Sequence, residues 1–169
     1  MKKQLNKNLI ERFSRQIVLK NIGILGQKKI LSAKVLVVGA GGLGCPAVEF
    51  LTRAGIGTLG IVDYDKVGLS NLHRQSLYEK TDIGKLKVLI VKKILKRINP
   101  NTKVQSYNLK LNNINFKKII NKYDYIIDGS DNFKTKFLLN DFSLKYKRFL
   151  VSGAISKFDG HIFSFNFKN

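Results

Sequence analysis

An α/β fold is expected, a doubly wound and mainly parallel sheet preceded by N-terminal helices, and three observations lead to it. Short apolar strands alternate with helical stretches along almost the whole chain, which is the pattern of a parallel sheet. Residues 35–51, VLVVGAGGLGCPAVEFL, join an apolar strand to an apolar helix through Gly39, Gly41 and Gly44, spaced G-x-G-x-x-G. An acid, Asp63, closes the next apolar run about 20 residues on, the spacing of a Rossmann-like nucleotide unit.

The elements follow in order. Residues 8–19 predict an amphipathic helix with Leu9, Phe13, Gln16 and Ile17 on one side, and 24–31 a second short helix. Together they form an N-terminal helical segment, 1–32, of a single domain, 1–169. A strand over 34–38 precedes the glycine loop and a helix over 43–54, with Pro46 in its first turn, where a missing N–H costs nothing. TLGIVD, 58–63, is a second strand, and 64–82 is polar and irregular. A basic helix over 84–98 is closed by Asn99 and Pro100. Strands over 103–108, 123–128 and 149–154 alternate with helices over 114–121 and 133–146. The last stretch, 160–167, alternates as HIFSFNF and predicts an antiparallel strand.

Composition narrows the class. Hydrophobic residues make up 44% of the chain, in runs far short of the roughly 20 residues a membrane span needs. No apolar signal segment follows the basic N-terminus. The single cysteine, Cys45, excludes an intrachain disulfide and fits a reducing cytoplasm. The net charge of +20 comes mostly from lysine, 25 of the 31 basic residues, spread along the chain with abundant Ile, Asn, Phe and Tyr. That mixture is what AT-rich codons encode, so the charge reads as solvated surface rather than as a nucleic-acid face. The field it makes still favours an acidic partner or a nucleotide.

Ligands of such sheets bind beyond the carboxyl ends of the strands. There the sequence places Gly39–Gly44, Asp63–Asp65 and Asp128–Asp131. Asp63 can accept both hydroxyls of a ribose. The following segment, VDYDKVGLSNLHRQSLY, crowds Asn71, Arg74 and Gln75 together; a triphosphate needs such groups, and a dinucleotide does not. Lys85 and Lys87 sit near a helix start, where anions are favoured. Asp131, in IIDGSDN, is placed to hold a divalent cation between phosphate oxygens. Cys45 reads as a small buried residue, His73 as a neighbour of the phosphate site, and His161 as a surface group.

The pieces RFSRQIVL, VLVVGAGGLGCPAVEFLTRAGIGTLGIVDYDKVGLSNLHRQ, IGKLKV, INP, DYIIDGSDNFKTKFLLND and LVSGAISKFDGHI span nearly the whole chain. In that order they resemble the ThiF/MoeB/HesA adenylyltransferases, relatives of the ubiquitin-activating enzymes. The resemblance implies ATP-dependent adenylation of the C-terminal glycine carboxylate of a ubiquitin-like sulfur carrier, of the kind used in molybdopterin or thiamine biosynthesis. It implies that Gly42 and its neighbours line the nucleotide, that Asp63 holds the ribose, and that Asn71, Arg74, Gln75 and Lys87 address the phosphates. Asp131 would bind Mg2+. Arg15 would reach into the site of the other subunit of a homodimer, while Arg12 stays with its own fold.

Members of that family continue into two CxxC pairs that bind structural zinc and into a crossover loop, which these 169 residues do not contain. The zinc site is therefore expected to be absent from this chain, and adenylation of a carrier by it to be weak. Three other readings stay open. One is a relative acting on a tRNA-bound carboxylate, and another a truncated, non-catalytic remnant. The third, an NAD-dependent oxidoreductase, explains the glycine loop and Asp63 but leaves Arg74, Lys87 and Asp131 without a task.

Overall fold

The computed structural model of the chain describes residues 5–168. The chain runs α1 (Lys7–Arg12), α2 (Ser14–Ile17), α3 (Gly23–Ser32), β1 (Lys34–Val38), α4 (Gly44–Ala54), β2 (Thr58–Val62), α5 (Lys87–Ile98) and β3 (Lys103–Tyr107). It continues through α6 (Asn113–Ile120), β4 (Tyr125–Asp128), α7 (Phe133–Lys145), β5 (Phe149–Ser156) and β6 (Asp159–Asn166). The strands form one sheet in the order β3-β2-β1-β4-β5-β6, parallel throughout except for β6, which runs antiparallel to β5.

β1 explains the architecture. A strand covered on both faces is apolar at every position rather than at alternate ones. In KVLVV, Val35 and Val37 enter one core with Cys45 and Val48 of α4 and Val88, Val91 and Leu95 of α5. Leu36 and Val38 enter the other with Phe116 and Ile120 of α6 and Leu139 of α7. The chain winds from β1 outward to β2 and β3, then returns to β4 on the opposite side of β1. The crossovers thus diverge between β1 and β4, and a crevice opens at that switch point.

The N-terminal helix expected over 8–19 is broken at Phe13, which has φ −105° and ψ 15°. The break is a packing effect. Phe13 is buried against Gly55 at the end of α4. Gln16 and the fully buried Gln27 bond to one another and to the carbonyl oxygen of Ala54. The helix expected from 84 starts at Lys87 instead. Gly84 has φ +84°, its amide donates to the Val67 carbonyl at 2.8 Å, and Lys66 bridges Leu86, so 84–86 are held extended. The other elements fall within three residues of their expected ends.

The candidate nucleotide cleft

The cleft at the switch point encloses about 710 Å³ and is floored by the loop after β1. The loop's shape depends on close backbone approaches. Gly39 has φ +92°, and a Cβ there would stand 2.6 Å from the carbonyl oxygen of Gly129 in the loop after β4. Gly41 and Gly42 face the open cleft. Gly44, expected to contact nucleotide, does not line the cleft: it is buried against the Gly39 carbonyl and lets α4 start directly beneath the loop.

The end of β2 supplies two carboxylates. Asp63 accepts from the amide of Ala40 (2.7 Å, Oδ2) and the amide of Asp65 (2.7 Å, Oδ1), which fixes its orientation toward the glycine loop. Burial raises its pKa above the ordinary carboxylate value, and the two amide donors work the other way. In folding, a raised pKa gives stability that is full below the unfolded value and is lost as pH rises through the folded value. Asp65 is half-exposed and pairs at 3.3 Å with Nζ of Lys87, which is itself buried at the first position of α5.

The polar segment after β2 forms the side wall. The Asn71 side-chain oxygen accepts from the Gly68 amide at 2.9 Å, closing a 3-10 turn over Leu69–Asn71. Arg74 donates to the Ser70 carbonyl at 2.7 Å, which aims an exposed guanidinium along the cleft. Gln75 is buried at the cleft wall, and its Oε1 has no hydrogen-bond partner among the described residues. A buried polar atom without a partner is costly unless something else supplies one.

The end of β4 contributes Asp131, exposed at the opposite wall. Among the described residues no three His, Cys, Asp or Glu side chains cluster as a metal cage. A lone carboxylate still suits Mg2+, which is held by one or two carboxylates together with phosphate oxygens and water.

All three strand ends therefore meet in one cleft, as the sequence implies, along with groups it did not single out. Lys136 lines the cleft and pairs at 3.0 Å with the buried strand-end acid Asp128, which does not itself line it, and Tyr64 lies under the Lys110 ammonium at 5.4 Å. His161 is exposed, as expected of a surface group, and β6 also carries it to the cleft edge through its pairing with Ala154. His73 is exposed, with Nε2 3.5 Å from Arg74 Nη1. Cys45 is wholly buried, with Sγ 3.4 Å from the Ala40 carbonyl, and burial pushes its thiol pKa up, away from the reactive thiolate. Arg15 is exposed and lies outside its own chain's cleft, whereas Arg12 bonds the Ile98 carbonyl at 2.7 Å.

The fold and this cleft define a nucleotide-binding α/β domain with cations and a carboxylate beyond the glycine loop. The sequence pattern of the ThiF family matches residues 13–169, and the chain belongs to that family. It is 43% identical over 164 residues to the Aedes aegypti adenylyltransferase and sulfurtransferase MOCS3, covering 97% of this chain and 38% of that protein. It is 42% identical to the sulfur carrier protein adenylyltransferase of Thermus thermophilus, covering 95% of this chain and 59% of that one. Among solved structures, the ATP complex of the E. coli tRNA N6-threonylcarbamoyladenosine dehydratase TcdA superposes with a TM-score of 0.85 at 26% identity, over 93% of this chain and 65% of that one. No helix among the described residues is long and apolar enough to cross a membrane.

Proposed function

We propose that the cleft binds Mg-ATP and adenylates the C-terminal carboxylate of a ubiquitin-like sulfur carrier. The observation that carries this reading is the convergence of Arg74, Lys87 and Asp131 on the cleft whose floor is the glycine loop and whose corner is Asp63. Relatives named as sulfur carrier protein and molybdopterin-synthase adenylyltransferases, at 42% and 43% identity, support the choice of acceptor. A thiamine-type carrier fits the same chemistry, and the single buried cysteine suits a cytoplasmic setting.

In this reading Asp63 accepts the ribose hydroxyls, and Gly41 and Gly42 let the backbone approach the α-phosphate. The acceptor's carboxylate oxygen attacks the α-phosphorus, the bond from that phosphorus to the β-bridging oxygen breaks, and pyrophosphate leaves with the electron pair. An acyl adenylate remains. The carboxylate is already ionised at pH 7, so no general base is needed. The barrier lies in bringing two anions together; Arg74 and Lys87 neutralise them, while the side-chain NH2 groups of Asn71 and Gln75 orient them without adding charge. Mg2+ held by Asp131 would offset the charge gathering on the leaving pyrophosphate.

Calorimetry tests the nucleotide. Mg-ATP is expected to bind more tightly than NAD, and Arg74→Ala to weaken ATP by about 10²-fold with little change in thermal stability, because the side chain is exposed. Tighter binding of NAD ends the ATP reading. Pyrophosphate exchange with a carrier ending in Gly-Gly then tests the acceptor. A tRNA-bound carboxylate is the second reading, favoured by the likeness to TcdA, and exchange driven by tRNA instead of a carrier would select it.

Asp63 makes ATP affinity pH-dependent. The ionised carboxylate is the form that accepts ribose hydroxyls, so affinity is full above the folded pKa and falls as pH drops through it. Because burial raises that pKa, the fall is expected to begin above the usual carboxylate range. Asp63→Asn should bind ATP more weakly and flatten this acid limb beyond the titration of ATP itself. An unchanged limb in the variant would remove Asp63 as its source.

Arg15 is proposed to serve the cleft of a second copy in a homodimer. It is exposed and lies outside its own chain's cleft, which leaves its guanidinium free to reach a neighbouring copy.

A further inference from the structure

The Asp131 side chain has little support of its own in the cleft. It is exposed, and among the described residues its carboxylate makes a single long contact, 3.4 Å from Nδ2 of Asn132. Its place is set by the backbone on either side. On one side, Asp128 is almost fully buried at the end of β4, and its Oδ1 accepts from the amide of Ser130 at 2.9 Å and the Ser130 hydroxyl at 2.6 Å. Its Oδ2 accepts from the Ser152 hydroxyl at 2.7 Å and from Nζ of Lys136 at 3.0 Å. On the other side, the Asn132 side chain accepts from the amide of Thr135 at 2.9 Å and starts α7, which carries Lys136.

Lys136 closes this circuit. Its ammonium also donates to the Gly153 carbonyl at 2.7 Å, so one cation ties β4, β5 and α7 together beneath the turn 129–132. An apolar pair would hold a core at least as well, since buried ion pairs offer little net stability over packed hydrocarbon. A charged, four-donor clamp confers a fixed geometry instead, and this one sits at the wall of a ligand cleft.

We propose that Lys136 is a positioning residue, which acts through Asp128 to hold the turn that places Asp131 for cation binding. The inference rests on the reading of Asp131 as the carboxylate that shares Mg2+ with ATP. Groups bonded directly to a metal ligand usually change metal affinity by about 10–100-fold when removed. Lys136 acts one step further back, through Asp128, and is expected at the low end of that range.

The test is ATP binding to the whole chain by calorimetry, in EDTA and across a Mg2+ titration, with Lys136→Met, Lys136→Arg, Asp131→Asn and the Lys136→Met/Asp131→Asn double variant. Lys136→Met is expected to reduce the gain that Mg2+ gives by about tenfold. Lys136→Arg is expected to restore most of the gain, and the double variant to lose no more than Asp131→Asn alone. A merely structural lysine would weaken binding equally with and without Mg2+. An unchanged Mg2+ dependence in Lys136→Met, or additive losses in the double variant, overturns the positioning role while leaving Asp131 its cation. Full Mg2+ gain in Asp131→Asn overturns both. Should Lys136→Met not fold, Asp128→Asn/Lys136→Met removes the uncompensated carboxylate and enters the same comparison, with the same loss expected.

Discussion

Gly44→Ala is expected to lower the unfolding midpoint by roughly 6–12 °C, from a loss of about 3 kcal/mol, and to abolish ATP binding. A Cβ at this position would overlap the carbonyl oxygen of Gly39, a backbone atom that cannot rotate away. Relief requires moving either the start of α4 or the loop after β1. That loop cannot yield alone, because the Gly39 amide is bonded to the Val62 carbonyl and the Gly129 amide to the Val38 carbonyl, at 2.8 Å each. Gly42→Ala is the control. Its Cβ would meet only the Arg74 side chain, at 3.8 Å, an ordinary contact, so the fold should hold while the cleft narrows. Thermal unfolding and ATP calorimetry on the two variants separate a glycine that builds the loop from one that faces the ligand. Equal stability of both would show that the loop is softer than its contacts imply.

The same distinction marks what is legible in the sequence. Apolar runs, glycine spacing and the acid after the second strand are local signals, and they place every strand and bring three strand ends to one crevice. Gly44 carries the same letter as Gly42 in the motif, yet only three-dimensional packing tells which of them faces the cleft. Phe13 breaks a well-patterned helix because its ring is drawn against Gly55, a contact 42 positions away along the chain. The start of α5 is displaced by pairing with 66–67, although Gly84 is a local hint of a turn. Asp128 and Lys136 lie in or next to a quoted motif, but the sequence does not reveal that one is buried and that the other neutralises it. The alternation of the last strand gives His161 as an exposed group, which it is, but only the register of β6 against β5 brings it to the cleft edge.

Co-expression of Arg15→Ala and Asp131→Ala chains is expected to restore activity that neither variant has alone. If Arg15 completes the cleft of its neighbour, each site takes Asp131 from one chain and Arg15 from the other. An Arg15→Ala homodimer then lacks the arginine at both sites, and an Asp131→Ala homodimer lacks the carboxylate at both. In the mixed dimer, the site on the Arg15→Ala chain has its own Asp131 and borrows the partner's intact Arg15, so it is whole. The other site is doubly defective. Random pairing of equal amounts makes half of the dimers mixed, each with one working site in two, so activity should recover to about a quarter of wild type for a closed two-fold dimer. Each parent should fall by about 10²-fold or more, the cost of removing one charge-stabilising group from a desolvated site. An arginine acting within its own chain leaves every site in every dimer defective, so the mixture would stay as inactive as its parents. The geometry favours the first outcome: Arg12 is tied to the Ile98 carbonyl of its own chain, whereas Arg15, three residues on, is exposed and outside its own cleft.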